Sequence, residues 1–169
     1  MGSVAMDGQT VEIIGRNYLV SMLVRDRLEV ARPERDRGVD LIAYLDLEKT
    51  GGSFTACPIQ MKAATRSSFS LFQKYTKFSL LLLAYVWHVQ NPDEACVYAL
   101  SYPEAFTVAD QMGWTGTPSW VKAGYSTTNP SKKLMVLLEP YLMKPRDWKR
   151  KVEQVATDQS LALIIHATA

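Results

Sequence analysis

Histidine and cysteine are scarce in this sequence, with two of each among 169 residues. Cys57 and Cys96 stand far apart, and His88 and His166 fall at no ligand spacing, which disfavours both a zinc site and a nucleophile–histidine–acid triad. No disulfide framework is implied, and the two thiols read as buried groups in a reducing compartment. A glycine-rich phosphate loop, a Gly-x-Ser-x-Gly elbow and a dinucleotide fingerprint are all missing, which disfavours nucleotide hydrolases, serine esterases and dehydrogenases. Long apolar runs are missing too. Leu80 to Val89 is the longest and is too short to span a bilayer, while Met1 to Gln9 has no basic segment leading into an apolar one, so a cytoplasmic location is expected. Net charge is only +2, with a pI near 8.5, so contact with nucleic acid has to rest on local clustering. One cluster stands out, Lys144, Arg146, Lys149, Arg150 and Lys151 around Asp147. Such a run is first of all a solvated helix face, with phosphate contact as the alternative.

Apolar residues make up 47% of the chain and charged residues 21%, a globular composition that supports one domain over 1–169. A chain of this size removes roughly 70% of its unfolded surface from water. Val11, Ile14, Tyr18 and Met22, with Leu19 and Leu23 beside them, predict an amphipathic helix over Thr10 to Leu28 with Thr10 as its N-cap. Pro33 and alternating charges then deliver the chain to a strand, Val39 to Leu45. Glu48 to Ser53 is a turn, and Phe54 to Ala63 returns as the second strand of a hairpin, with Pro58 expected to cause a bulge or a locally unpaired stretch. A short turn or helix within Ser67 to Phe78 precedes a central strand, Leu80 to Trp87, then a strand over Ala95 to Leu100 and a helix over Pro103 to Met112. Gly113 to Pro130 reads as loop, Leu134 to Leu138 as a late strand, and Pro145 onward as an amphipathic helix with Trp148, Val152 and Val155 on its stripe. Leu161 to Ile165 fits either strand or helix. The order implies an α/β or α+β fold, a mixed central sheet flanked by helices, with no internal repeat.

Chemistry concentrates in the hairpin. Residues at i and i+2 of a strand leave the same face, so Gln60 and Lys62 point together while Ile59 and Met61 point into the opposite, packed layer. The hairpin brings Asp40 beside them. An acid, an amide and an ammonium in one place suit an oxygen-ligated divalent ion held against a phosphate: Asp40 as first ligand, Gln60 as a weaker carbonyl ligand, and Lys62 opposite the charge that grows in the transition state. Each residue also has a plainer reading. Glu12 with Arg16 four residues on is a surface ion pair, Asp40 a cap at the strand's start, Lys62 a solvated strand-end lysine and Asp36 a loop charge. Trp114, Trp120, Tyr125 and Tyr141 either stack bases or, more simply, close a core beneath a loop.

The stretch Arg37-Gly38-Val39-Asp40-Leu41-Ile42-Ala43 followed by Ile59-Gln60-Met61-Lys62, with Glu12 on an N-terminal helix, resembles the PD-(D/E)xK superfamily of restriction-endonuclease-like nucleases, and within it the Mrr-like branch and related domains carrying glutamine-x-lysine. The resemblance implies a nuclease-like core over about 10–115 with a C-terminal extension, about 116–169, packed on it. It also implies a metal-dependent phosphodiesterase or endonuclease acting on DNA, or less readily RNA, with Asp40, Gln60, Lys62 and Glu12 as catalytic residues. Asp40, Gln60 and Glu12 would hold Mg2+ or Mn2+, and a homodimer is a possible assembly. Two departures are visible: Val39 stands where many members have proline, and Gln60 where most have an acid. A catalytically inactive module of the same fold, binding nucleic acid or a protein partner, is the alternative reading. A third is self-association through the Trp114 to Tyr125 loop.

Overall fold

The N-terminal apolar spacing folds as helix α1 (Gly8–Arg25), in a computed structural model that describes residues 6–35, 37–48, 50–52, 54–78 and 80–167, with 159–167 described in backbone only. Its N-cap is Asp7, not Thr10. The Asp7 carboxylate accepts from the Thr10 backbone N at 2.9 Å and from the Thr10 hydroxyl at 2.7 Å. An ionised cap also complements the positive end of the helix dipole, so it prevails over the hydroxyl. Leu19 and Leu23 are fully buried, and Val11, Ile14, Tyr18 and Met22 flank them.

Among the described residues seven strands and four further helices follow: β1 (Leu28–Ala31), β2 (Leu41–Leu45), β3 (Ala56–Ala63), β4 (Phe69–Phe72), β5 (Leu82–Trp87), β6 (Cys96–Ser101), α2 (Tyr102–Gln111), α3 (Pro118–Lys122), β7 (Gly124–Thr127), α4 (Lys132–Leu138) and α5 (Asp147–Ala167). A five-stranded mixed sheet has the order β1-β2-β3-β5-β6, with helices on both faces. The β3–β5 pair is parallel and the other three pairs of this sheet are antiparallel. A parallel pair needs a crossover of a dozen or more residues. Here residues 64–81 supply it without an α-helix, through β4 and a 3-10 turn at Gln73–Tyr75, and β4 pairs with β7 in a second, two-stranded sheet.

The β2–β3 hairpin forms as its sequence predicts, but Pro58 makes no bulge. Leu41, Ile42, Ala43 and Tyr44 face Ile59, Pro58, Cys57 and Ala56 in unbroken register, and the parallel ladder to β5 starts only at Ile59. Proline therefore sits one residue before the second ladder begins, where its missing N–H is tolerated. Leu134 to Leu138 belongs to α4 and is not a strand. Ser131 caps it, accepting from the Leu134 backbone N at 3.3 Å, and Leu134 and Leu138 bury one face at helical spacing. Gly113 to Pro130, expected as loop, contains α3 and β7, and the stretch open between strand and helix, Leu161 to Ile165, is helical.

One core layer packs α1 and α5 against Leu41, Ala43, Ile59, Met61 and Ala84; the other packs α2, α3 and α4 against Leu83, Tyr85, Trp87 and Leu100. Helix α5 is part of the first layer, since Trp148 and Val152 are fully buried there. Its start is tied to the end of α1 by Asp26, whose carboxylate accepts from the backbone N of Arg146 at 2.8 Å and of Trp148 at 2.9 Å. No helix among the described residues is long and apolar enough to cross a membrane.

Candidate functional site

Asp40 is placed by the turn that precedes β2. Gly38 has φ +89°, a backbone region open to glycine at little cost, and it lets the chain swing so that the Asp40 backbone N donates to the Ile59 carbonyl at 2.8 Å. The Asp40 side chain is then fixed on β3: Oδ2 accepts from the Met61 backbone N at 2.6 Å and from Gln60 Nε2 at 2.5 Å. With its amide nitrogen turned to Asp40, Gln60 also lies 3.3 Å from the Met61 carbonyl. The carboxylate is thus oriented by two charge-assisted bonds.

Lys62 leaves the same face of β3 one strand step on. Its ammonium lies 5.5 Å from the ring centres of both Phe72 and Tyr75, residues of the crossover between β3 and β5. Rings at this distance attract a cation electrostatically and hold a flexible stem in place. Ile59 and Met61 point the other way into the α1/α5 layer, as the strand alternation predicts.

Glu12 comes from α1, and Gly15, one turn later, determines how closely that helix approaches. A Cβ at Gly15 would lie 2.5 Å from the Ala63 Cβ, so only glycine lets α1 rest directly on the end of β3. Glu12 consequently lines the same open cleft, of about 320 Å³, as Asp40, Gln60 and Lys62. Its carboxylate is paired with Arg16, as the i, i+4 spacing suggests, and is 56% exposed. All four sequence-predicted site residues therefore meet in one place, whereas Asp36 lies outside the described residues. Gly15, Phe72 and Tyr75 are not among the residues singled out from sequence. A helical glycine three residues after an acid is the only signal that points to the first, and the two aromatics reach the site only through tertiary contact.

Among the described residues no three histidine, cysteine or acidic side chains are close enough to hold a metal ion together. The cleft offers two carboxylates and, once the Gln60 nitrogen is committed to Asp40, the amide oxygen of Gln60, a set without thiolate or imidazole that does not suit zinc. They do suit a hard cation such as Mg2+, which keeps several waters and takes one or two protein carboxylates.

The remaining candidates have structural roles. Trp114 and Trp120 are buried, and Trp114 stacks on Tyr125 with ring centres 4.1 Å apart. His88 follows β5 in a left-handed conformation, φ +56°, with Nε2 3.1 Å from the Ser67 hydroxyl oxygen. The side chain of His166 lies outside those described. The C-terminal basic cluster is largely neutralised: Lys149 meets Glu153 at 3.8 Å, Arg150 meets Asp147 at 2.8 Å, and Lys151 meets Glu104 at 2.6 Å. Both cysteines are free, and burial pushes the Cys57 thiol up to about 12, which leaves it unreactive.

No family model matches this sequence, and no curated protein matches it. Among solved structures, the chain is similar to that of a bacterial homing endonuclease, I-Ssp6803I, at 10% identity over 93% of this chain and 99% of that one, with a TM-score of 0.49.

Proposed function

We propose that this chain is a metal-dependent nuclease of the PD-(D/E)xK type, hydrolysing phosphodiester bonds of DNA in preference to RNA. The observation that carries the reading is the convergence of Glu12, Asp40, Gln60 and Lys62, drawn from helix α1, the turn before β2 and strand β3, on a single open cleft. Glu12 on α1, Asp40 immediately before β2, and Gln60 and Lys62 on β3 are the residues on which the sequence resemblance rests. Asp40, Gln60 and Glu12 would hold Mg2+ or Mn2+, which when bound neutralises phosphate charge and lowers the pKa of a water. The chain's own contribution is electrostatic and preorganised. The Met61 N–H and the Gln60 amide hold the Asp40 carboxylate in one orientation, and Lys62 presents a fixed positive charge where the attacked phosphate gains negative charge.

Incubation of the purified protein with end-labelled DNA and RNA, in Mg2+ and in chelator, tests this. Cleavage of DNA is expected only with the metal, with a loss on the order of 10²–10³-fold in Lys62→Met and Asp40→Asn. Intact DNA and RNA in Mg2+ and in Mn2+, together with melting temperatures that do not respond to either ion, would overturn the proposal. A catalytically silent, nucleic-acid-binding module is the second reading. It is favoured by Gln60, which stands in an acid's place and donates to Asp40, and by the ion pair that already engages Glu12. Salt-sensitive binding indifferent to Mg2+, without cleavage, would select it.

A further inference from the structure

The sequence holds a second charge feature, less conspicuous than the C-terminal cluster. From residue 49 to residue 92 there is no aspartate or glutamate, while Lys49, Lys62, Arg66, Lys74 and Lys77 all fall in that stretch. A chain of net charge +2 thus concentrates its unopposed positive charge in the hairpin's second strand and the crossover that follows. The structure preserves that imbalance. None of Lys62, Lys74, Lys77 and Lys122 is paired with a carboxylate among the described residues, in contrast to Lys149, Arg150 and Lys151.

Aromatic rings occupy the positions between these lysines. Within Phe72-Gln73-Lys74-Tyr75-Thr76-Lys77-Phe78, the Lys74 ammonium lies 5.8 Å from the Phe72 ring centre and 5.1 Å from that of Tyr75, and Lys77 lies 5.6 Å from that of Phe78. Lys62 and Lys74 therefore share the same two rings, Lys62 on the side of the cleft that holds Asp40 and Glu12 and Lys74 on the other side. Lys74 and Lys122 line one depression with no carboxylate among the described residues of its wall, and two ammonium groups without a counter-charge favour an anion arriving between them. Phe72, Gln73 and Lys74 line, with Lys122 and Ala123, an open groove of about 350 Å³. Lys62 lies in the catalytic cleft and Phe72 in this groove, and the contact between them makes the two depressions neighbours.

We infer that the groove formed by Phe72, Lys74 and Lys122 is the path by which a single strand of nucleic acid leaves the cleft. Lys74 and Lys122 take successive phosphates, and Phe72 stacks an unpaired base. The inference deepens the nuclease proposal and rests on it for the direction of the strand. Unpaired nucleotides are the occupant indicated because a ring lining a basic groove offers a stacking surface, which a base still paired and stacked in a duplex cannot use. The preferred substrate is then a single strand, or a duplex with an unpaired segment at the cut.

Binding of a fluorescently labelled oligothymidylate to the full chain in chelator, measured by anisotropy across a salt series, tests the groove separately from cleavage. Lys74→Gln with Lys122→Gln, both exposed and outside the core, is expected to weaken binding about tenfold or more and to lower the slope of log affinity against log salt by about 1.4, two phosphates at about 0.7 each. Phe72→Leu is expected to lose about tenfold with the salt slope unchanged, which separates a stacked base from a phosphate contact. Lys149→Gln with Arg150→Gln serves as the control and should bind as the wild type does. Unchanged affinity in both the double-lysine and Phe72 variants, or tighter binding to fully paired duplex than to the single strand, would overturn the inference. A wild type that binds as expected yet cleaves nothing at saturating nucleic acid in Mg2+ would defeat the nuclease proposal and leave the groove standing as a binding surface.

Discussion

Gln60 is the residue on which the chemistry of the cleft turns. Its amide donates to Asp40 Oδ2 at 2.5 Å, and a glutamate in the same position would bring a second carboxylate against the first. Without metal, Gln60→Glu loses a hydrogen bond and adds like-charge repulsion in a half-buried setting, so one of the two acids should retain its proton to higher pH. A destabilisation of about 1–2 kcal/mol is expected in chelator, read as a drop of several degrees in melting temperature at this chain length. With Mg2+ the sign reverses, because the added carboxylate is a better ligand than an amide, and an ion that binds only the native state stabilises in proportion to the logarithm of its concentration over its dissociation constant. The rise in melting temperature between chelator and Mg2+ should therefore be larger in Gln60→Glu than in wild type. Equal rises would place the metal away from Gln60. The glutamine and the lysine could be found in the sequence because strand alternation fixes their common face, and the aspartate because the hairpin sets it beside them. Nothing in the sequence tells that Phe72 and Tyr75 come round to hold Lys62, since that contact depends on a crossover without a helix.

At the level of elements, the approach of α1 to β3 decides whether Glu12 belongs to the site. Gly15→Ala would place a methyl group 2.5 Å from the Ala63 Cβ, with Val89 Cγ1 at 3.4 Å, so either the helix moves outward or the end of the strand gives way. Overpacking of this kind costs about 1–3 kcal/mol, measurable by urea denaturation. The same displacement carries Glu12 away from Asp40, so metal-dependent cleavage should fall further than stability alone explains, and Ala63→Gly in the same chain should restore both. A double variant no better than Gly15→Ala would show that the close packing is not what seats Glu12. Elements with a strong apolar period were legible in the sequence: α1, β5 and α5 all form where their buried residues recur. Misreadings arose where the period was short or mixed. Leu134 to Leu138 is five apolar residues in a row, consistent with strand or helix, and the Ser131 cap decides for helix. β1 buries fully only Leu28, leaves Glu29 exposed and sits at the edge of the sheet, so it carried little signal against the helix before it.

For the molecule as a whole, the pattern of buried ionisable groups predicts an alkaline limit to stability. Burial pushes the Cys57 thiol from 9.0 up to about 12 and also raises Cys96, Tyr18, Tyr98, Tyr102 and Tyr141 above their ordinary values, while Tyr85 is buried with its hydroxyl donating to the Ser70 carbonyl at 2.7 Å. Above pH 9 the unfolded chain releases these protons before the folded chain does, so the unfolded state binds fewer protons and stability must fall as pH rises. For Cys57 the contribution is complete below 9.0 and is lost progressively as pH climbs towards 12, at about 1.4 kcal/mol per pH unit. Urea midpoints should hold steady between pH 7 and 8.5 and decline steeply from there to pH 11, and Cys57→Ala should flatten the decline by about that slope after its own packing loss is subtracted at pH 7. A midpoint that stays constant to pH 11 would mean that water reaches the Cys57 thiol, and hence that α1 and α5 do not seal the layer against β2 and β3. The same titration bears on enzymology: activity lost above pH 9 in parallel with the urea midpoint reports unfolding of the scaffold, whereas activity lost at lower pH, with the midpoint unchanged, reports a proton in the cleft itself.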